Sequence, residues 1–207
     1  DAGPDFRQQM LRENVKHLDA ILITHHHKDH IAGLDDVRSF NFLQHFSMPV
    51  YASPDSQEEI RREFSYAFAE KDKLYPGAPT FNLFDIEDGK EIFINDLTIK
   101  PISLKHLEML CYGFRIDNFA YITDFSYISD KSFNKLKGVE FLIIEALRKE
   151  KHYSHICLSE AIDIAQRLGV KKAWFTHIGH QMGLTEETNK TLPRNMMLAY
   201  DGLKIEV

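Results

Sequence analysis

Apolar and polar positions along the chain switch between a period of two and a period of about 3.6, so short strands mixed with helices are expected. Residues 20–24 (Ala-Ile-Leu-Ile-Thr) are apolar on both faces and read as a fully buried strand. A helix is expected from Gly33 to Leu43 behind a loop, then a short strand over 49–52. Ser53-Pro54-Asp55 reads as a helix start, with Ser53 as N-cap and Pro54 in the first helical position, and that helix runs toward Glu70. Pro76-Gly77 and Pro79 interrupt the pattern, which then turns β-rich. Strands are expected over 81–86, 91–94, 97–103, 112–116 and 119–123, with Asp117-Asn118 as a hairpin turn. A helix over 130–136 leads to a buried strand at 141–144. An amphipathic helix over 158–168 follows, stopped by Gly169, and then a strand at 173–176. The end of the chain reads as a hairpin of 196–200 and 203–207 about an Asp201-Gly202 turn.

Strands interleaved with helices, with long β-meander stretches, predict an α/β or α+β protein whose sheets are covered by helices. No repeat, low-complexity tract or Gly/Ser linker breaks residues 1–207, so one domain is expected. A hydrophobic fraction of 43% and a charged fraction of 27% are those of an ordinary globular chain. The formal charge of −6 offers no global attraction to nucleic acid or an anionic membrane, though it leaves room for a local basic groove. Cys111 and Cys157 are far apart and outside any C-x-x-C pattern. A disulfide framework is therefore not expected, and a cytoplasmic setting is the simplest. No apolar run approaches the ~20 residues that span a bilayer.

The candidate chemistry begins at Thr24-His25-His26-His27-Lys28-Asp29-His30, directly after the first buried strand. Four potential ligands (His25, His27, Asp29 and His30) at the C-terminal end of a strand lie where open α/β sheets place their sites. Imidazole and carboxylate donors suit Zn²⁺, Mn²⁺ or Fe²⁺. Asp29 and His30 are adjacent and point to different sides, so one loop can feed two metals. A purification tag would be terminal and uninterrupted, and this segment is neither.

The H-x-H-x-D-H spacing resembles the metallo-β-lactamase superfamily, and the rest of that family's pattern follows in order. Asp1, in Asp-Ala-Gly, resembles its first-motif aspartate, which buttresses the metal loop. His106, Asp124 and His177, each at the end of an apolar run, resemble its third-, fourth- and fifth-motif ligands. The resemblance implies an αββα sandwich of two mixed β-sheets flanked by helices, with further N-terminal strands upstream of Asp1. It also implies two divalent ions, Zn or Mn. One would be held by His25, His27 and His106, the other by Asp29, His30 and His177, with Asp124 bridging.

Within the superfamily, His155 resembles the extra histidine of the ribonuclease Z-like branch and of the phosphodiesterase of the carbon–phosphorus lyase pathway. His180 resembles a ligand of that phosphodiesterase's structural zinc, although the upstream cysteines that complete the zinc site are not in this chain. Gly3-Pro4-Asp5-Phe6-Arg7 and Ala199-Tyr200-Asp201-Gly202 look like the same subgroup. The resemblance implies hydrolysis of a small cyclic phosphodiester, such as a phosphoribosyl 1,2-cyclic phosphate, by a homodimer. In that reading Asp29 and His155 are catalytic, His155 is the general acid, and Arg7 and Lys105 are candidate contacts for a second phosphate. Ribonuclease Z-like cleavage of tRNA ranks second, because no long basic, Gly-rich arm lies between Asp124 and His177. Ester or lactone hydrolysis on the same metals ranks third, and a non-catalytic metal-bound scaffold last.

Overall fold

Strand β1 spans Ile21–Leu22 and pairs in parallel with β2 (Met48–Ala52), which in turn pairs in parallel with β3 (Phe81–Asp85). These strands form a three-stranded sheet in the first of two compact units, Asp1–Glu87 and Asp88–Val207. The computed structural model describes residues 1–70 and 72–207. In the first unit, helices α1 (Phe6–Arg12), α2 (Lys28–Ile31), α3 (Arg38–Gln44) and α4 (Pro54–Glu63) accompany the sheet. Phe6, Ile23, Ile31, Leu34, Val50 and Ile60 are among the residues of its core.

Two helices of this unit depart from expectation. Instead of one helix over 33–43, Ala32–Val37 is a 3₁₀ segment and only Arg38–Gln44 is α-helical. The cause is a close backbone approach. Gly33 N–H donates to the Ala2 carbonyl at 2.8 Å, and a Cβ at Gly33 would stand 2.1 Å from the Gly3 carbonyl oxygen. Ser53 caps α4 as expected, accepting from Ser56 N–H at 3.2 Å, but the helix ends at Glu63 rather than running toward Glu70. Phe64 leaves helical geometry, and its buried ring meets Phe81 edge-on at 6.5 Å; Phe68 joins Phe81 at 5.9 Å. Burying those rings outweighs one more turn of polar helix.

The second unit holds a seven-stranded sheet in the order β10-β9-β8-β7-β6-β5-β4. Its strands are β4 (Ile92–Ile94), β5 (Leu97–His106), β6 (Met109–Ile116), β7 (Phe119–Ile122), β8 (Phe141–Glu145), β9 (Lys172–Thr176) and β10 (Met196–Leu198). Pairing is antiparallel from β4 to β7 and parallel from β7 to β10. This sheet is mixed as expected, whereas the three-stranded one is parallel throughout. The β5–β6 hairpin runs further than 97–103 and 112–116. It turns at Leu107, whose φ of 56° is left-handed, where no Gly or Asn marks a turn. That extension makes His106 the last residue of β5. The Asp117-Asn118 turn forms as expected, with Asp117 at φ 48°.

Helix α5 (Asp130–Lys135) is capped by Ser129. In α6 (Leu158–Leu168), the Glu160 side chain accepts from Cys157 N–H at 2.9 Å, and Gly169 ends the helix at φ 68°. Leu158, Ala161, Ile164 and Ala165 of α6 join Ile102, Ile122, Leu142, Ile144 and Phe175 in the core. Helix α7 (Thr185–Asn189) precedes β10.

The expected terminal hairpin does not form. β10 pairs in parallel with β9 and buries Met196 and Leu198. After the turn, residues 203–207 make no strand, although Leu203 and Ile205 are half-buried. Both cysteines are free and buried. Among the described residues, no helix is long and apolar enough to cross a membrane.

Candidate functional site

Each unit builds its own set of candidate ligands. In the first, the chain leaves β1, passes Thr24 and enters α2, so His25 and His27 lie on the loop while Asp29 and His30 lie on the short helix. The Asp1 carboxylate fixes this segment. It accepts from Thr24 N–H at 2.7 Å, from Thr24 Oγ1 at 2.9 Å and from His30 Nδ1 at 2.8 Å. A carboxylate on Nδ1 leaves Nε2 of His30 as the nitrogen for a metal, the usual outer-shell arrangement of a metal-binding histidine. His25 Nε2 and His27 Nδ1 approach to 3.0 Å, two ring nitrogens converging as they would on a shared cation. His25 and His30 are buried, whereas His27 and Asp29 are exposed.

In the second unit the residues come from the ends of separate strands. His106 ends β5. Asp124 lies two residues beyond β7, Glu145 ends β8, and His177 follows β9. Asp124 and His177 take left-handed backbone at φ 57° and 54°, uncommon for residues other than glycine and a form of strain that clusters at functional sites. His106 Nδ1 donates to the Ser154 carbonyl at 2.8 Å, a tautomer that puts the ring's lone pair on Nε2. Burial, followed by repulsion from His155, lowers the His106 pKa and favours the neutral, ligating form. Asp124 accepts from Thr123 Oγ1 at 2.7 Å and lies 3.2 Å from His177 Nε2.

Ligand atoms of Asp124, Glu145, His155 and His177 all fall within 4.8 Å of one another. Glu145, fully buried, accepts from Phe125 N–H and meets His155 Nδ1 at 2.8 Å. Two neighbouring acids register the concentrated negative charge. Burial first, and the Asp124 and Glu145 carboxylates second, push Tyr121 up to about 12 and raise the Cys111 thiol. A divalent cation would offset that charge, so the donor set fits a metal.

Glu145 is a member of this candidate group that sequence reasoning missed. A signal was available, the same one that supported Asp124 and His177: a titratable residue closing a buried strand, here Phe-Leu-Ile-Ile-Glu.

The remaining candidates are less well placed. His180 is exposed at the start of a 3₁₀ turn, and among the described residues it joins no group of candidate ligands. Arg7 is exposed on α1. Lys105 is exposed on β5, where strand alternation sends its side chain to the face opposite His106.

Residues 1–178 match the family model described as beta-lactamase superfamily domain, and the chain belongs to that family, with its metallo-β-lactamase fold. Among solved structures it is similar to one described as a new diphosphatase from the PhnP family, at 37% identity and a TM-score of 0.90, covering 100% of this chain and 78% of that one. It is 34% identical over 205 residues to an octanoyltransferase of Porphyromonas gingivalis, covering 99% of this chain and 41% of that protein. It is 27% identical over 145 residues to the exodeoxyribonuclease YycJ of Bacillus anthracis, covering 68% of this chain and 48% of that protein. The chain thus spans less than half the length of either of these two relatives.

Proposed function

We propose that this protein is a metal-dependent hydrolase of phosphodiesters, acting on a small substrate such as a cyclic ribose phosphodiester. The observation that carries the reading is the buried Glu145 held against His155, beside Asp124 and His177. A carboxylate on one imidazole nitrogen presets the other for proton transfer. The similarity to a PhnP-family diphosphatase supports phosphorus–oxygen bond hydrolysis.

Two divalent ions, Zn or Mn, are the proposed cofactors. One is assigned to His25, His27 and His106, and the other to Asp29, His30 and His177, with Asp124 as the shared ligand. Such ions supply water acidic enough to attack near neutral pH and neutralise phosphoryl charge. Asp1 keeps the His30 ring in its ligating tautomer, and the Ser154 carbonyl does the same for His106. Asp29 orients the attacking water. His155, with Nδ1 held by Glu145, donates the Nε2 proton to the leaving oxygen and pairs with phosphoryl charge as it builds. Arg7, Lys105 and a structural zinc at His180 remain secondary to this core.

The test combines metal content with turnover of bis(p-nitrophenyl) phosphate in wild type and His155→Ala. Two ions per chain in both, with turnover lowered about 10²–10⁴-fold in the variant, is the expected result. Turnover indifferent to His155, or confined to carboxylic esters and lactones, would overturn it. The exodeoxyribonuclease relative supports a second reading, in which the phosphodiester belongs to a nucleic acid. Steep salt dependence of polynucleotide binding would favour that reading.

A further inference from the structure

The loop between β8 and α6 carries more than His155. Its stem is tied on both sides. Leu158 N–H donates to the Arg148 carbonyl at 2.9 Å, Ile156 N–H to the Phe125 carbonyl at 3.2 Å, and Gly179 N–H to the Leu147 carbonyl at 2.7 Å. Arg148 braces the outer turn through the Lys151 carbonyl at 2.8 Å and the Gln181 side chain at 3.0 Å. His152 Nδ1 accepts from Ser154 N–H at 3.3 Å, which makes its ring a neutral, locally anchored plate. Burial, with Arg148 and His155 nearby, lowers the His152 pKa in the same sense.

Three rings of this braced loop form a row with His177, which follows β9. His177 and His155 are stacked at 5.0 Å, His155 and His152 lie 5.4 Å apart, and His152 and Tyr153 lie 4.5 Å apart. The row ends in Tyr153, a residue 77% exposed. A large aromatic side chain held in water by a pinned loop gains little for folding, since its area is not buried. Its sequence neighbours Lys149, Glu150 and Lys151 are charged and exposed.

We infer that Tyr153, backed by His152, is a stacking platform for a planar base, and that the substrate is therefore a nucleoside phosphate. The inference rests on the phosphodiester reading above and specifies its substrate class. A phosphate engaged by His155 leaves the rest of a nucleotide to extend along the row, and Tyr153 is two ring steps away. Base–aromatic stacking tolerates any base, because each presents a π-face. Tyr153 is accordingly a specificity residue for the base and takes no part in the proton transfer at His155.

The experiment is calorimetric titration of the metal-loaded full chain with adenosine 5′-monophosphate and with ribose 5-phosphate, in wild type, Tyr153→Phe and Tyr153→Ala. Wild type and Tyr153→Phe are expected to prefer the nucleotide about tenfold, and Tyr153→Ala to reduce that preference to about twofold or less. Equal affinities in wild type, or a preference retained in Tyr153→Ala, would overturn the platform. Because the readout is binding, such a result leaves phosphodiester hydrolysis standing. A retained nucleotide preference with no phosphodiester turnover would instead sink the functional reading alone.

Discussion

In the first unit, four candidate ligands lie within six consecutive residues, and one carboxylate from Asp1 holds them in place. In the second, the corresponding residues are scattered from His106 to His177 and meet because β5, β7, β8 and β9 end at one edge of a sheet. The first set depends on a local chain path, and the second on strand register. Register is the more unforgiving of the two, since a slip of one residue would carry a ligand to the opposite face. It also brings carboxylates together: Tyr121 and Cys111 are raised first by burial and then by the Asp124 and Glu145 charges.

The largest break in this comparison is expected at Asp124, the proposed shared ligand. Asp124→Ala should lose metal, measured by elemental analysis, and lose more turnover than the ~10²–10⁴-fold of a missing proton donor. Glu145→Gln keeps the shape but removes the charge behind His155. It should retain metal and lower kcat about 10–100-fold, as loss of an outer-shell partner does. Unchanged kcat would remove Glu145 from the machinery.

Gly33→Ala probes the local path in the first unit. Its new Cβ would meet the Gly3 carbonyl and Phe6 Cβ, at 2.1 and 2.7 Å. A loss of about 1–3 kcal/mol in denaturant unfolding is expected. An unchanged midpoint would show that residues 2–3 yield easily.

The smallest effect is expected at Asp88, which binds Lys131 at 2.7 Å and also Lys135. Hydrogen bonds from those lysines hold its pKa down at about 2. A carboxylate depressed in the folded state stabilises above its unfolded pKa of about 4, and the contribution fades as pH falls through 2. Asp88→Asn should therefore cost less than ~1 kcal/mol at neutral pH, given the solvent exposure, and the gap in Tm should close between about pH 4 and pH 2. A gap that is constant with pH would rule out the ion pair as its cause.

The local features of the fold were legible wherever one residue type answers one physical need. Ser53 supplies the cap of α4, Gly169 the left-handed stop of α6, and Asp117 the hairpin turn. Features that depend on distant partners were not. Phe64 abandons α4 for a ring on β3, Leu107 turns a hairpin without any turn residue, and the tail beyond Gly202 finds no strand to pair with.

The same division runs through the candidate site. His25, His27, Asp29 and His30 announce themselves by spacing, whereas His106, Asp124 and His177 came from the family resemblance, supported by their places after apolar strands. Glu145 carried that second signal too, yet a lone carboxylate after a strand means little until a partner is known. Composition and periodicity thus determined the class of fold and the donor types. Tertiary structure alone decided that Glu145 backs His155, that Lys105 faces away from His106, and that Tyr153 ends a row of rings. The physical reason is that side-chain chemistry and local periodicity are properties of neighbours in sequence. Which nitrogen of a histidine is held by a partner, and which carboxylate charges it, depend on groups that only the folded chain brings within hydrogen-bond reach.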